Sequence, residues 1–197
     1  MPRVTEATRA EHRRRLLEAA TAEFAAKGFD GARVDDISLA AGLGKGTIYN
    51  YFESKHEIFR EAVAAWFAGI VETLEPLPAD APIREQLLAI VRTDLKVSAE
   101  IEEFARVMYR ETLRPNRDEV AALLPAVDPS DQALEVVIGR GQETGEIRAD
   151  RSASELTRVL RSLISGLIFE RWMPESTLQL DDIPELAVDL FLQGVGT

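Results

Sequence analysis

The stretch AGLGKGTIYNYF, residues 41–52, brings glycines, a lysine and hydroxyl side chains together, a combination that can bind phosphate. A phosphate-binding P-loop needs the pattern Gly-x-x-x-x-Gly-Lys-Ser/Thr after a β-strand. Here Gly46 follows Lys45 where serine or threonine is required, and Leu39 stands at the position of the first glycine. A helical pattern precedes the stretch, so we do not predict a nucleotide-binding loop.

The same residues suit a helix-turn-helix, in which two short helices meet at a turn that often contains glycine. Ile48 and Phe52 lie one helical turn apart and are expected to be buried, which puts Asn50 on the opposite face. Thr47 and Tyr49 flank that face. Hydroxyl groups donate to DNA phosphates, and asparagine can read adenine in the major groove. The alternative is a surface helix whose tyrosines only cover the edges of the core.

Catalytic and metal-binding patterns are weak elsewhere in the chain. There is no cysteine, and His12 and His56 lie in charged helical segments without an obvious serine or aspartate constellation. The acidic pairs Glu102–Glu103 and Asp181–Asp182 are adjacent in sequence, so their side chains point in different directions on a helix and suit a metal poorly. We therefore expect no enzyme activity, no metal and no cofactor.

Charge is distributed unevenly along the 197 residues, whose formal net charge is -11. Residues 1–56 carry nine Lys/Arg against eight Asp/Glu, whereas the remainder carries fourteen against twenty-six. A near-neutral N-terminal part followed by an acidic remainder favours a protein that binds a polyanion through its N-terminal part alone. No membrane span is predicted, because no run of about 18 apolar residues occurs. No secretory signal is predicted, because the N-terminus is polar and has no apolar h-region, and a cytoplasmic location is expected.

The elements that must position these residues are helical almost throughout, so we predict an all-α fold of about nine helices. Leu16 and Phe24 mark the buried face of a first helix that ends at Gly28, and a second short helix ends at Gly42. Capping boxes and prolines delimit the rest. A third helix is predicted in the quoted stretch, and a fourth runs from Ser54 to Pro76. The next helical pattern runs from Ile83 to Leu113, with a break near Ser98 and a stop at Pro115. The remaining predicted helices run from Asp118 to Leu124, from Pro129 to Gly145, from Ser152 onward, and from Asp182 to Gly194.

The segment Leu16–Phe59 resembles the DNA-binding domain of tetracycline-repressor (TetR) family regulators. It carries, in the family's order, an apolar helix, "KGF", a short helix with an acidic start, "AG", and "KGTIYNYF" followed by "SK". The resemblance implies a three-helix helix-turn-helix DNA-binding domain, residues 1–53. A fourth helix would join it to a helical ligand-binding and dimerisation domain, residues 54–197.

The resemblance also implies which positions meet double-stranded DNA, since the family's third helix enters the major groove. The matching residues are Arg33, Val34, Lys45, Gly46, Thr47, Tyr49, Asn50, Tyr51 and Lys55. Two departures are visible. Arg33 stands where the family often has serine or threonine, and it cannot cap a helix through a side-chain oxygen, although it can reach a phosphate as a cation. Gly44 replaces a common serine.

A two-fold dimer and a ligand pocket follow from the same resemblance. The predicted dimer interface comprises Leu160, Ser162, Leu163, Gly166, Leu167, Leu190 and Phe191. The predicted pocket comprises Trp66, Phe104, Met108 and Tyr109. For both sets the alternative is that the side chains belong to the core of one subunit.

The expected function is therefore a sequence-specific transcriptional regulator, a repressor released from a palindromic operator by a small apolar ligand. The alternative is a dimeric small-molecule sensor of the same fold that acts as an activator or does not bind DNA. That alternative stays open because Arg33 departs from the family's pattern and the acids Asp35 and Asp36 lie near the expected DNA-facing surface.

Overall fold

A computed structural model describes residues 5–73, 78, 80–112 and 129–196 of the chain. Within these ranges every regular element is a helix, which confirms the all-α class. The elements are α1 (Glu6–Gly31), α2 (Val34–Ala40), a 3₁₀ helix (Thr47–Asn50), α3 (Lys55–Thr73), α4 (Ile83–Glu100), α5 (Glu102–Thr112), α6 (Pro129–Thr144), α7 (Ala153–Arg171), a second 3₁₀ helix (Leu180–Asp182) and α8 (Ile183–Val195). The predicted helix Asp118–Leu124 and the stop at Pro115 lie outside the described residues.

Contacts divide the described residues into two compact units. The first unit contains the residues up to 68 and those from 98 to 112, and the second contains residues 69–97 and 129–196. Helix α5 thus belongs to the same unit as the helix-turn-helix. The functional boundary after residue 53 stays a prediction.

Aromatic packing forms the centre of the first unit. Phe24 of α1 stacks on Phe29 with 5.8 Å between ring centroids, and its edge meets Phe59 of α3 at 5.0 Å. Phe59 in turn lies 5.5 Å from Phe104 of α5. Helix α1 bends at Gly28, whose φ of 70° is a conformation that glycine adopts without strain, and this places Phe29 back on the core. The first helix is predicted to end at Gly28, and the bend lies at this residue.

The second unit has its own apolar core, built from α4, α6, α7 and α8. Helix α7 begins at a complete capping box, in which the Ser152 hydroxyl accepts from the Glu155 N–H while the Glu155 carboxylate accepts from the Ser152 N–H. Leu160 and Phe191, predicted for a dimer interface, lie within this core and are 0% and 3% exposed. The apolar residues of α7 and α8 extend over more of each helix surface than one neighbouring helix can cover. Leu160 and Phe191 lie on the part that other helices of the same chain cover.

A charged cluster connects three helices of the second unit. Arg161 of α7 donates to Asp94 of α4, and to the Asp131 carboxylate at 2.7 Å and the Ser130 hydroxyl at 2.6 Å, both on α6. Asp94 and Ser130 are buried. Because an unpaired buried carboxylate would be costly, these bonds hold the three helices at defined positions relative to one another.

Candidate nucleic-acid interface

The proposed DNA-facing element is residues 45–52, called here the reading segment. A tight turn leads into this segment, and Gly42 and Gly46 have φ of +69° and +77° there. The buried Ser38 hydroxyl donates to the Gly44 carbonyl at 2.7 Å within the same turn. Gly46 caps a single 3₁₀ turn, Thr47–Asn50. The predicted third helix is therefore present, as a 3₁₀ turn rather than an α-helix. The left-handed conformation at Gly46 separates this turn from any preceding helix, and no side chain caps its start.

Exposure along the reading segment separates an inner side from an outer side. Ile48 and Phe52 are buried, as their spacing predicts. Tyr49 is 59% exposed, and Lys45 and Asn50 are exposed as well. Thr47 is half-buried. A Cβ at Gly46 would meet nothing within 4 Å, so the backbone there is open to an approaching surface. The arrangement leaves a lysine, a tyrosine and an amide available to a partner.

A groove of about 440 Å³ runs beside the reading segment and joins three elements. Its lining residues are Ala32, Arg33, Val34, Asp35, Tyr49, Ser54 and Lys55. Arg33 is exposed and is the N-cap residue of α2, where its side chain makes no capping hydrogen bond, as its chemistry predicts. The groove brings Arg33, Val34, Tyr49 and Lys55 of the predicted DNA contacts together.

Lys55 is more engaged within the protein than the resemblance implies. Its ammonium group donates to the carbonyls of Asp30 at 3.1 Å and Ala32 at 3.2 Å, and it lies 5.0 Å from the centroid of the Phe29 ring. The predicted Ser54 cap of α3 is present, since the Glu57 N–H donates to the Ser54 hydroxyl at 3.1 Å. The lysine ties the start of α3 to the chain before α2.

An acidic residue near this surface is neutralised by a lysine of α1. The Lys27 ammonium lies 3.0 Å from the Asp36 carboxylate and 2.8 Å from that of Glu23. Lys27 holds the pKa of the Asp36 carboxyl below its usual value, with smaller contributions from the charges of Arg33 and Lys45. Asp36 is therefore ionised at neutral pH, with a cation beside it that reduces its repulsion of a phosphate backbone.

Sequence reasoning missed two residues of α1 that contact the reading segment. His12 Nδ1 lies 2.8 Å from the Tyr51 hydroxyl, and the Arg9 guanidinium donates to the Asn50 carbonyl at 3.2 Å. Tyr51 is accordingly half-buried. The cluster of basic residues at the start of α1 was the sequence feature that could have indicated these contacts. Periodicity does not reveal them, because Tyr51 lies about forty positions from His12 in sequence.

The other predicted site residues divide by exposure. Trp66, Phe104 and Met108 are buried in the first unit, and Tyr109 is half-buried. In the second unit Leu163 and Leu167 pack partly against the core, whereas Ser162, Gly166 and Leu190 are exposed.

Among the residues that the structure describes, no group of three or more His, Cys, Asp or Glu side chains can hold a metal ion. None of the described helices is both long and apolar enough to cross a membrane.

The family model described as bacterial regulatory proteins of the tetR family matches residues 16–62. The chain is 28% identical over 187 residues to the HTH-type transcriptional repressor DhaR of Mycobacterium sp. (strain GP1), covering 91% of this chain and 92% of that one. It is 26% identical to the HTH-type transcriptional regulator SrpR of Pseudomonas putida, covering 86% and 79% of the two chains.

A solved structure agrees over nearly the whole length. The TetR family transcriptional regulator PfmR from Thermus thermophilus is 27% identical, has a TM-score of 0.63, and matches 92% of this chain and 99% of that chain. These relatives are regulators of transcription and not enzymes. Since the matched residues 16–62 hold both the helix-turn-helix and its outward reading segment, the chain has a DNA-binding domain of the tetR-family type and is a DNA-binding transcriptional regulator.

Proposed function

We propose that the chain is a homodimeric repressor that leaves a palindromic operator when a small, largely apolar effector binds. The observation that carries this proposal is the outward placement of Lys45, Tyr49 and Asn50 above the buried Ile48 and Phe52. The repressor role is supported by the name of DhaR, which the chain matches over most of both lengths. The cytoplasm is the proposed location.

Each proposed DNA contact has a role that fits its side chain. Lys45 and Arg33 supply positive charge to phosphates, and Thr47 and Tyr49 supply hydroxyl donors. Asn50 is proposed to read a base edge, because its amide can bond adenine bidentately. The other proposed contacts are Val34, Gly46, Tyr51 and Lys55, of which Lys55 acts mainly by holding the N-terminus of α3 in place.

Replacing Lys45 by alanine is expected to reduce the salt dependence of DNA binding. Each lost phosphate contact lowers the slope of log K against log salt by about one, because fewer counterions are released. Fluorescence anisotropy on a duplex selected by the protein from a randomised library measures this slope. Lys96→Ala removes the same charge from an exposed site of the second unit and serves as the control. An unchanged slope for Lys45→Ala would exclude a phosphate contact by this lysine.

The proposed dimer uses the outer faces of α7 and α8. Val159, Leu186 and Leu190 are 55%, 38% and 48% exposed there, and Ser162 and Gly166 add small residues that allow helices to approach closely. Leu163 and Leu167 line the edge of this face, whereas the buried Leu160 and Phe191 support it from inside. A two-fold dimer would place two reading segments about 34–36 Å apart, one helical turn of DNA.

The proposed effector site includes the buried side chains of Trp66, Phe104 and Met108, with Tyr109 at its edge. Among the described residues, the Trp66 Nε1–H has no hydrogen-bond partner although it is buried. A buried donor without a partner is costly, so an effector that accepts from it would be favoured. Binding relieves repression only if the effector prefers the dimer geometry that does not fit the operator.

Tryptophan fluorescence provides a test of this effector site. Trp172→Phe leaves Trp66 as the one tryptophan, since the chain has two. We expect aliphatic or aromatic compounds that carry a carbonyl or carboxylate to shift its emission and to release the selected duplex at matching concentrations. A compound that shifts the emission at saturation and leaves DNA affinity unchanged would contradict release by this site. A reporter gene under the chain's own upstream region distinguishes repression from activation.

A further inference from the structure

We propose that His12 is a positioning residue for the reading segment and acts through the hydroxyl group of Tyr51. This inference rests on the proposed function, because it concerns the surface proposed to contact the operator. It assigns to α1, an element outside the helix-turn-helix itself, a part in selecting the DNA sequence.

The reading segment cannot hold its own conformation. Its helical part is the single 3₁₀ turn Thr47–Asn50, closed by a hydrogen bond from the Tyr49 N–H to the Gly46 carbonyl at 3.2 Å. The Ile48 carbonyl accepts from the N–H groups of Tyr51 at 2.9 Å and Phe52 at 3.0 Å. Short 3₁₀ turns have poor hydrogen-bond geometry, and a single isolated turn is not stable in water. The orientation of the exposed side chains must therefore come from contacts with the rest of the unit.

Three residues of α1 supply such contacts to consecutive residues of the segment. Arg9 donates to the Asn50 carbonyl, and its guanidinium lies 5.4 Å from the centroid of the Tyr51 ring. His12 makes the 2.8 Å hydrogen bond to the Tyr51 hydroxyl, with the two rings edge to face at 6.1 Å. Arg13 lies 5.5 Å from the Phe52 ring centroid. Positions 9, 12 and 13 share one face of a helix, so α1 presents them together.

The His12 bond is shorter and less exposed than the other hydrogen bond from α1, which Arg9 donates to the Asn50 carbonyl at 3.2 Å on the surface. A cation above a ring tolerates movement, whereas a side-chain hydrogen bond between two half-buried rings fixes both the position and the tilt of Tyr51. A phenolic hydroxyl can form more than one hydrogen bond. Tyr51 can therefore keep its bond to His12 and still contact a phosphate, but from a fixed position. Asn50 and Tyr49 precede Tyr51 in the same turn, so the fixed position of Tyr51 also limits where their side chains lie.

The test is a double-mutant cycle between His12→Ala and Tyr51→Phe, measured on the full chain. The probes are a duplex selected by the wild-type protein from a randomised library and an unrelated duplex of equal length. We expect His12→Ala to weaken binding to the selected duplex about tenfold, as for loss of one part-buried hydrogen bond, and to leave the unrelated duplex unchanged. Tyr51→Phe should weaken binding at least as much, because it also removes the hydroxyl that is proposed to contact a phosphate. The double variant should lose no more than Tyr51→Phe alone. His12→Gln, which keeps donor and acceptor groups, should restore most of the affinity.

Controls separate this role from general stability and from the proposed function. Thermal unfolding checks that each variant folds, and His56→Ala removes the other histidine without touching Tyr51. Losses that add in the double variant, or a His12→Ala loss that is equal on both duplexes, would overturn the positioning role. Wild-type protein that selects no duplex would instead overturn the proposed function. Selection by the wild type with unaffected variants would overturn only the role of His12.

Discussion

Replacing Phe59 by alanine is expected to lower the free energy of unfolding by about 3–5 kcal/mol, the range for a large aromatic side chain in a packed core. Phe59 is fully buried and its ring lies 5.0 Å from Phe24, 5.3 Å from Phe29 and 5.5 Å from Phe104. Alanine would remove a side chain that touches all three rings and leave a cavity between α1, α3 and α5. Urea unfolding followed by circular dichroism measures the change.

Tyr49→Ala is the matched control for this prediction, because it removes an aromatic side chain that is 59% exposed in the same unit. Its effect on the free energy of unfolding should stay within about 0.5 kcal/mol, while its affinity for the selected duplex should fall. A Phe59→Ala protein as stable as Tyr49→Ala would contradict the packing described for the first unit.

Replacing Leu190 by glutamate is expected to weaken binding to the selected duplex by about 100- to 10,000-fold, the advantage that linking two binding modules gives. Leu190 is 48% exposed beside Leu186 on α8, and a charge there would be buried against a second copy without a partner. Sedimentation or light scattering should find a monomer with unchanged helix content.

Val136→Glu controls for the introduced charge. Val136 is 54% exposed on α6 of the same unit, outside the proposed dimer face, so this variant should remain dimeric and bind the duplex as the wild type does. A Leu190→Glu protein that stays dimeric, or a Val136→Glu protein that dissociates, would show that the dimer uses a different surface.

Local signals in the sequence were enough to predict most helices. The capping box at Ser152–Glu155 and the cap at Ser54 correspond to the starts of α7 and α3, because these side chains satisfy the first free N–H groups of a helix. The predicted break near Ser98 lies close to Ile101, where α4 ends and α5 begins. Burial of Ile48 and Phe52 also followed from their spacing, and it sets which side of the reading segment faces outward.

Features that depend on distant residues could not be predicted in this way. Periodicity shows that Leu160 and Leu190 are on apolar faces, but only the packing of four helices decides that Leu160 is fully buried and Leu190 is not. The 3₁₀ form of the turn Thr47–Asn50 is likewise not indicated by the i, i+4 spacing of Ile48 and Phe52. The contact between His12 and Tyr51 joins residues 39 positions apart, and nothing in either local pattern indicates it.

The membership of α5 in the first unit limits how this regulator can be recombined with others. Phe104 of α5 completes the ring cluster, and a Cβ at position 28 would lie 2.6 Å from a guanidinium nitrogen of Arg110 on the same helix. A chimera that transplants residues 1–53 alone would expose Phe24 and Phe29 to a foreign helix with a different side-chain pattern. An interchangeable DNA-binding module of this regulator has to include α3 and α5, even though α5 follows the helix-turn-helix by some fifty residues.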